Sequence, residues 1–422
     1  MLARIWTCGD RRVRAGKFET RLSSHVLALL LVLAPFCFGA DTVAVLPLFN
    51  TDEAQSSNLD WIGESAAETI HESLSTAGLL VLAREDRAEV YRRLSLRAGV
   101  VLTKASVIKI GETLDAGEVI FGSYKVDGAD SGAASPTNLQ SNIRLTIYVI
   151  DLKKMHEMPA IEQYGPLNNL SQMQMKLAWG LLNQLAPDRV PGETEFLLER
   201  PPVRVDAMES YVRGLMSPNP EQKTKLFTQA VKLDDHFSPP NFQLGRMQFQ
   251  KKDYKGAGAW LAKVTRNDSH YMEANFLLGI CRYYEGDFDG AIQQFRMVAA
   301  EVPLNEVYND LGAALSRKDD NAALENFVKA LEGDEGDPDY WFNTGYALWK
   351  QRQFEQAAQH FRAVLDRSRN DQDATTMLGR CLKMEGPRPG DTRSEGRERI
   401  KTTFEDSAFR QLQAELKGKG AK

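Results

Sequence analysis

The chain has 422 residues, enough for two or three domains. With 43% hydrophobic and 26% charged residues it has the make-up of a globular protein, neither disordered nor built around membrane spans. Its formal net charge is -5; residues 1–40 hold six Lys/Arg against two Asp/Glu, so the remainder stands at -9 and gives no reason to expect nucleic acid as a partner.

Residues 1–40 read as a secretory signal peptide. Arg11, Arg12, Arg14, Lys17 and Arg21 precede the apolar run from Val26 to Phe36, and Gly39 and Ala40 supply the small residues of a cleavage site. The run is shorter than the roughly 20 residues needed to cross a bilayer about 30 Å thick. Cys37 lacks the small residues that precede a lipidated cysteine. The expectation is export across an inner membrane, to the periplasm or cell envelope.

Residues 41–187 follow an α/β pattern. Val43 to Phe49 is a short apolar run of the kind a buried strand needs. Asp60 opens a helix with Ile62, Ala66, Ile70 and Leu74 at four-residue spacing, and Leu79 to Leu82 is a second apolar strand. Helices are expected over Arg84–Leu94 and Thr103–Leu114, strands over Val119–Val126 and Ile143–Ile150, and a loop between those strands over Asp127–Gln140. A long helix spans Leu167 to Leu185 and stops at Pro187. The order predicts a small α/β sandwich. This segment resembles the domain of the TolB amino-terminal, FlgO and CsgG-like envelope proteins. The carrying residues are Val45-Leu46-Pro47, Leu82 to Asp86, Gly111 with Ala116, Val119 to Tyr124, and Val149 to Leu152. The resemblance implies an envelope location and an interaction role, and no reaction. The barrel strands and lipid anchor of the CsgG channels are not reproduced, so a pore is not implied.

Residues 188–205, with Pro191-Gly192 and Pro201-Pro202, read as a stiff connector whose prolines favour extended chain over helix.

From 206 to 385 the chain repeats. Gly245, Gly279, Gly312, Gly345 and Gly379 are spaced by 34, 33, 33 and 34 residues. Each of the first four is followed by a small residue (Ala257, Ala291, Ala323, Ala357) and, four places on, by Leu261, Phe295, Phe327 or Phe361. A period this regular is the mark of stacked helix pairs. An earlier degenerate unit shows Gly214, Phe227 and Ala230, and Gly379 marks a last helix whose partner is missing. The units resemble tetratricopeptide (TPR) repeats, on Leu278-Gly279, Tyr283, Phe288, Ala291, Phe295 and Pro303. The fold class is therefore α+β: an N-terminal α/β sandwich followed by an all-α superhelical solenoid. Once the signal is removed, only Cys281 and Cys381 remain. They stand three repeats apart, beyond the Cα separation of about 7 Å that a disulfide tolerates, so buried free thiols are expected.

Motifs for chemistry are lacking. The six histidines are scattered without HExxH spacing, and no Walker loop, G-x-S-x-G or G-x-G-x-x-G string occurs. Ser106-Val-Ile-Lys109 reads as helix surface rather than as a nucleophile. Asp287 and Asp289 resemble a metal pair, but their place at a repeat turn makes Asp289 the expected helix cap. Asp127 and Asp130 lack the glutamate that a calcium loop needs at its twelfth position, which is Asn138. No catalytic residue, metal or cofactor is expected.

The concave face of the solenoid is the remaining candidate. Inward positions of the first helices are Phe242, Arg246 and Phe249; Phe276 and Tyr283; Asn309; Phe342 and Tyr346, with Arg317, Lys350 and Arg380 as neighbouring cations. Aromatics with arginine make binding hot spots. Two readings stand: a groove for a protein or peptide partner, or aromatics packed between helices or against the chain's own C-terminal helix. After a polar break at 386–396, an amphipathic helix is expected over 397–418, with Ile400, Phe404, Ala408, Leu412 and Leu416 as its stripe, capping the solenoid or recruiting a partner. The functional expectation is a non-enzymatic interaction scaffold, associated with an envelope complex or peripherally with a membrane. The alternatives are a small-molecule-binding or enzymatic α/β domain, and a subunit of an export assembly.

Overall fold

The computed structural model describes residues 42–51, 59–97, 100–127, 141–388, 390–391 and 394–419. The expected signal peptide, most of the loop after Asp127 and the Leu416 side chain lie outside them.

A seven-stranded sheet opens the described chain. Its strands are β1 (Thr42–Val45), β2 (Phe49–Asn50), β3 (Leu80–Val81), β4 (Glu118–Val126), β5 (Asn142–Asp151), β6 (His156–Glu157) and β7 (Ile161–Pro166). β1 is parallel to both β3 and β4, while β5 runs antiparallel to β4, β6 and β7. Pro47 has no N–H to give to a ladder, so the expected strand from Val43 to Phe49 breaks into β1 and β2. Side-chain alternation assigns the faces. Val43, Val45 and Ile120 face the helices α1 (Asp60–Thr76) and α4 (Leu170–Leu185). Ala44, Leu46, Val119 and Phe121 face α2 (Arg84–Arg93) and α3 (Lys104–Thr113). Strands β6 and β7 escape sequence reading because their residues are largely half-exposed and carry no apolar run.

The connector is not extended. Residues 193–198 form helix α5 (Glu193–Leu198), which starts just after Pro191-Gly192, where proline cannot interrupt it. Phe196 is 1% exposed and sits in a single apolar core with Val43 of the sheet, Leu177 of α4, and Met208 and Tyr211 of the first repeat helix. A chain section that buries an aromatic residue in this way is anchored, and its helix corrects the expectation of a connector in extended chain.

The repeats form five helix pairs among the described residues: α6 (Val205–Met216) with α7 (Pro220–Leu233), α8 (Pro239–Gln250) with α9 (Tyr254–Leu261), α10 (Tyr271–Glu285) with α11 (Phe288–Glu301), α12 (Asn305–Arg317) with α13 (Ala322–Gly333), and α14 (Pro338–Lys350) with α15 (Phe354–Arg367). A single helix, α16 (Gln372–Leu382), follows. The repeat glycines admit the ring or branched chain of the second helix. A methyl group at Gly279 would lie 2.7 Å from the Phe295 ring, and one at Gly312 2.8 Å from Phe327. At Gly379, which has no second helix, nothing lies within 4 Å of that position.

The turn inside each of the last four pairs is left-handed at one fixed place: Lys252, Gly286, Asp319 and Arg352 have φ of 60°, 82°, 55° and 61°. The cap after it is Asp253 or Asp287, whose carboxylate accepts the N–H of Gly256 or Gly290 at 3.0 Å. Asp289, the expected cap, instead pairs with Lys318 at 2.8 Å. Cys281 and Cys381 are buried free thiols, raised to about 12 and about 11 by burial.

The C-terminal helix α17 (Asp406–Lys419) starts nine residues later than the expected 397. Residues 397–405 are neither helix nor sheet strand, and side chains of the solenoid, rather than the next helical turn, bond their backbone.

Candidate functional site

The first helices of the repeats present a row of polar side chains, and the chain's own segment 394–405 lies along that row. At its centre Arg399 is held as a strand neighbour would be. Its N–H donates to Asn343 Oδ1 at 2.8 Å, and its carbonyl accepts from both Asn343 Nδ2 and Asn309 Nδ2 at 2.8 Å. Asn343 also donates to Asn309 Oδ1 at 2.7 Å, which fixes both amides. Further along, the N–H of Lys401 donates to Asp310 and that of Glu405 to Glu306, each at 2.9 Å. Four backbone groups of an irregular segment are thus bonded by side chains in place of a helix or sheet ladder.

Side chains of the segment add charge. The Arg399 guanidinium donates to both oxygens of Asp371 at 2.8 Å and to Asp339 at 3.1 Å, and its carbon lies 3.7 Å from the Phe342 ring centroid. Such two-pronged contact suits arginine and not lysine. Lys401 Nζ reaches Asp337 at 2.6 Å and Asp339 at 2.7 Å. Burial acts to raise the Asp339 carboxyl, but hydrogen bonding and charge from Lys401, with Arg399 beside it, hold it below the ordinary range. Burial raises Asp310 well above that range, with Glu306 adding to the rise, and the N–H of Lys401 offsets part of it. One oxygen of Asp310 has no hydrogen-bond partner among the described residues.

At one end of the segment Tyr346 Oη donates to the Ser394 carbonyl at 2.6 Å, and Ser316 donates to Glu398 at 2.6 Å. At the other end Phe404 meets Phe276 with centroids 5.5 Å apart, then α17 buries Phe409. Arg410 reaches the carbonyl of Val81 in β3 at 3.0 Å, so the C-terminal segment runs from the last repeats back to the sheet.

The predicted residues are placed in different surroundings. Asn309, Phe342, Tyr346 and Phe276 touch the segment directly. Tyr283 is 9% exposed, and its hydroxyl is pushed up by burial and by the nearby Glu398. Arg246 and Phe249 line a cavity of about 390 Å³ beside Phe404, and Lys350 and Arg317 line one of about 540 Å³ beside Gly396 and Glu398. Lys350 also pairs with Asp319 at 2.6 Å, and Arg317 lies over the Phe288 ring. Arg380 pairs with Asp391 at 2.9 Å. Phe242 is fully buried against the His270 ring and is core.

Sequence reading missed Glu306, Asp310, Asp337, Asp339, Asn343 and Asp371. Asp310 and Asn343 stand two places before the repeat glycine, and Glu306 and Asp339 six places before it, one helical turn earlier on the same face. The available signal was complementarity between these acids and Arg399 and Lys401.

Residues 273–305 and 313–382 match two tetratricopeptide repeat family models. Among solved structures, the chain is similar to YrrB, described as a TPR protein with an unusual peptide-binding site, at 19% identity over 47% of this chain and 93% of that one, TM-score 0.34. It is also similar to MamA from Desulfovibrio magneticus RS-1 at 20% identity over 39% and 95%, TM-score 0.35. A third is TTC0263 of Thermus thermophilus, a thermophilic TPR protein, at 13% identity over 42% and 99%, TM-score 0.31. No curated protein matches. The helix pairs within residues 273–305 and 313–382 are tetratricopeptide repeats.

Proposed function

We propose that this protein is a non-catalytic interaction scaffold of the cell envelope, whose repeat groove binds an extended segment of a partner protein. The observation that carries the reading is the pair Asn309 and Asn343, which grips both backbone groups of Arg399 without using its side chain. A groove that recognises main chain can take any extended segment whose side chains suit its walls. The envelope placement rests on the signal-like residues 1–40 and on the TolB-N/FlgO/CsgG resemblance of residues 41–187, with residues 206–385 as the recognition unit. Crosslinking in the native host tests it. A partner captured by the intact chain and lost with Asn309→Ala/Asn343→Ala supports the reading, and capture unaffected by that pair contradicts it.

A second reading has its own observation. A cavity of about 140 Å³ lies at the carboxyl ends of β1 and β4, lined by Asp60, Glu64, Arg84, Arg87, Tyr91 and Tyr124. Chain order reverses at β1, the usual place for a small ligand in such sheets. Burial raises Asp60; it acts to raise Glu64 as well, but Arg87 and Arg84 hold that carboxyl down. This supports a small-molecule site. A thermal-shift screen with the full chain tests it: a hit lost on Tyr91→Ala would favour this reading.

A further inference from the structure

The segment in the groove leaves part of it unfilled. Beside Gly396 and Glu398 lies the cavity of about 540 Å³ with Tyr346, Trp349 and Lys350 in its wall. Beside Thr402 and Phe404 lies the one of about 390 Å³ walled by Phe249, Tyr254 and Leu277. Thr402 and Thr403 are exposed, and Gly396 offers no side chain to the larger cavity. The contacts that do form are specific: acids from two helix starts take Arg399 and Lys401, and Phe276 takes Phe404.

Resting on the groove-binding reading above, we propose that residues 394–405 are an internal competitor for the groove. We infer that the partner presents an extended segment of the same chemistry: two cations two residues apart, then an aromatic three residues on. Tethering gives the internal segment an effective concentration on the order of millimolar, so a partner must offset that advantage. Larger side chains at the positions of Gly396 and Thr402 do so by entering the two cavities. The acids Asp337, Asp339 and Asp371 restrict the occupant to a cationic one, because an acidic or neutral segment would leave three carboxylates crowded and unpaired.

The test uses the full chain and a fluorescent peptide with the sequence of residues 394–405, read by anisotropy. The variant Arg399→Glu/Lys401→Glu is expected to bind the peptide at least tenfold more tightly than the unaltered chain. Its groove is then vacant. Adding Asn343→Ala should remove that gain, and a peptide with both cations changed to Glu should bind at least tenfold more weakly. If the double variant does not fold, as judged by its melting curve, Lys401→Ala makes the same comparison with a gain of about threefold. Limited proteolysis of residues 390–405 reports whether the segment has left the groove. A released segment without peptide binding would overturn the groove-binding reading itself. Peptide binding of equal strength to both chains would overturn only the competitor. A released variant that dimerises through its tail would make the occupant a second copy and overturn the proposed partner.

Discussion

Arg399 and Asn343 exchange two hydrogen bonds of 2.8 Å, main chain to side-chain amide, as two residues of adjacent strands would. Asn343 is fully buried, and its removal takes the partner from the N–H of Arg399 and from Asn309 Oδ1, while the Arg399 carbonyl keeps the bond from Asn309 Nδ2. Asn343→Ala is expected to weaken closure of the C-terminal segment by about 1–3 kcal/mol, the cost of leaving buried polar groups unpaired. Faster amide exchange across residues 397–405, with the sheet unchanged, would show it.

The side chain of Arg399 makes a different prediction. Arg399→Lys keeps the charge but loses the paired bonds to Asp371 and the contact with Phe342. Closure should weaken by about 1–2 kcal/mol, since charge-assisted hydrogen bonds are worth roughly 1.5–3 kcal/mol each and lysine recovers only part. Proteolysis rates at residues 390–405 in the two chains give the ratio.

Closure should also depend on pH. Asp310 is raised while covered, so the closed segment holds a proton that the open one releases near the ordinary carboxylate value of about 3.9. This contribution is fully present below that value and is lost as pH rises through the raised one. Glu306, raised mainly by burial, acts in the same direction. Asp339, held low, acts in the opposite sense, with stability present above the ordinary value and lost as pH falls through the depressed one. Opening should therefore increase as pH rises from the ordinary carboxylate range through the raised value of Asp310, and Asp310→Asn should flatten that rise; exchange of the Lys401 amide is the readout.

Much of the solenoid was legible because its physics is local. A glycine under an aromatic ring, recurring every 33 or 34 residues, requires stacked helix pairs whatever the rest of the chain does. The segment 397–405 was not legible as non-helical, since Ile400, Phe404 and Ala408 keep a four-residue spacing that also suits a helix. Its geometry is decided by Asn343, Asp310 and Glu306, which are distant in sequence. On the first helices of the repeats hydrophobic reasoning selects aromatics, whereas the side chains that bond the backbone of residues 399–405 are Asn, Asp and Glu. The connector was misread for a similar reason: Pro191 and Pro201 dominate its composition, while Phe196 decides its packing.

Phe196→Ala should destabilise the sheet and first repeat together by about 3–5 kcal/mol, the range for deleting a buried phenylalanine. A single shifted transition in denaturant is expected; two separate transitions would mean that the regions are not joined by a common core.

The repeat turns offer a stabilising change. Lys252 and Arg352 adopt the left-handed conformation that Gly286 adopts in the equivalent place. Left-handed backbone costs a non-glycine residue about 1 kcal/mol, so Arg352→Gly should be neutral or stabilising by up to that amount, measured as the denaturation midpoint.

The most direct test is amide hydrogen exchange on the full chain across residues 394–405. If the groove holds this segment, the amides of Arg399, Lys401 and Glu405 exchange slowly, those of Thr402 and Thr403 exchange fast, and Asn343→Ala with Asp310→Ala abolishes the difference. Uniformly fast exchange in the unaltered chain would show the groove to be vacant. Uniform slow exchange unaffected by the two substitutions would show a continuous helix from residue 397. Either result contradicts a non-helical segment held by side chains.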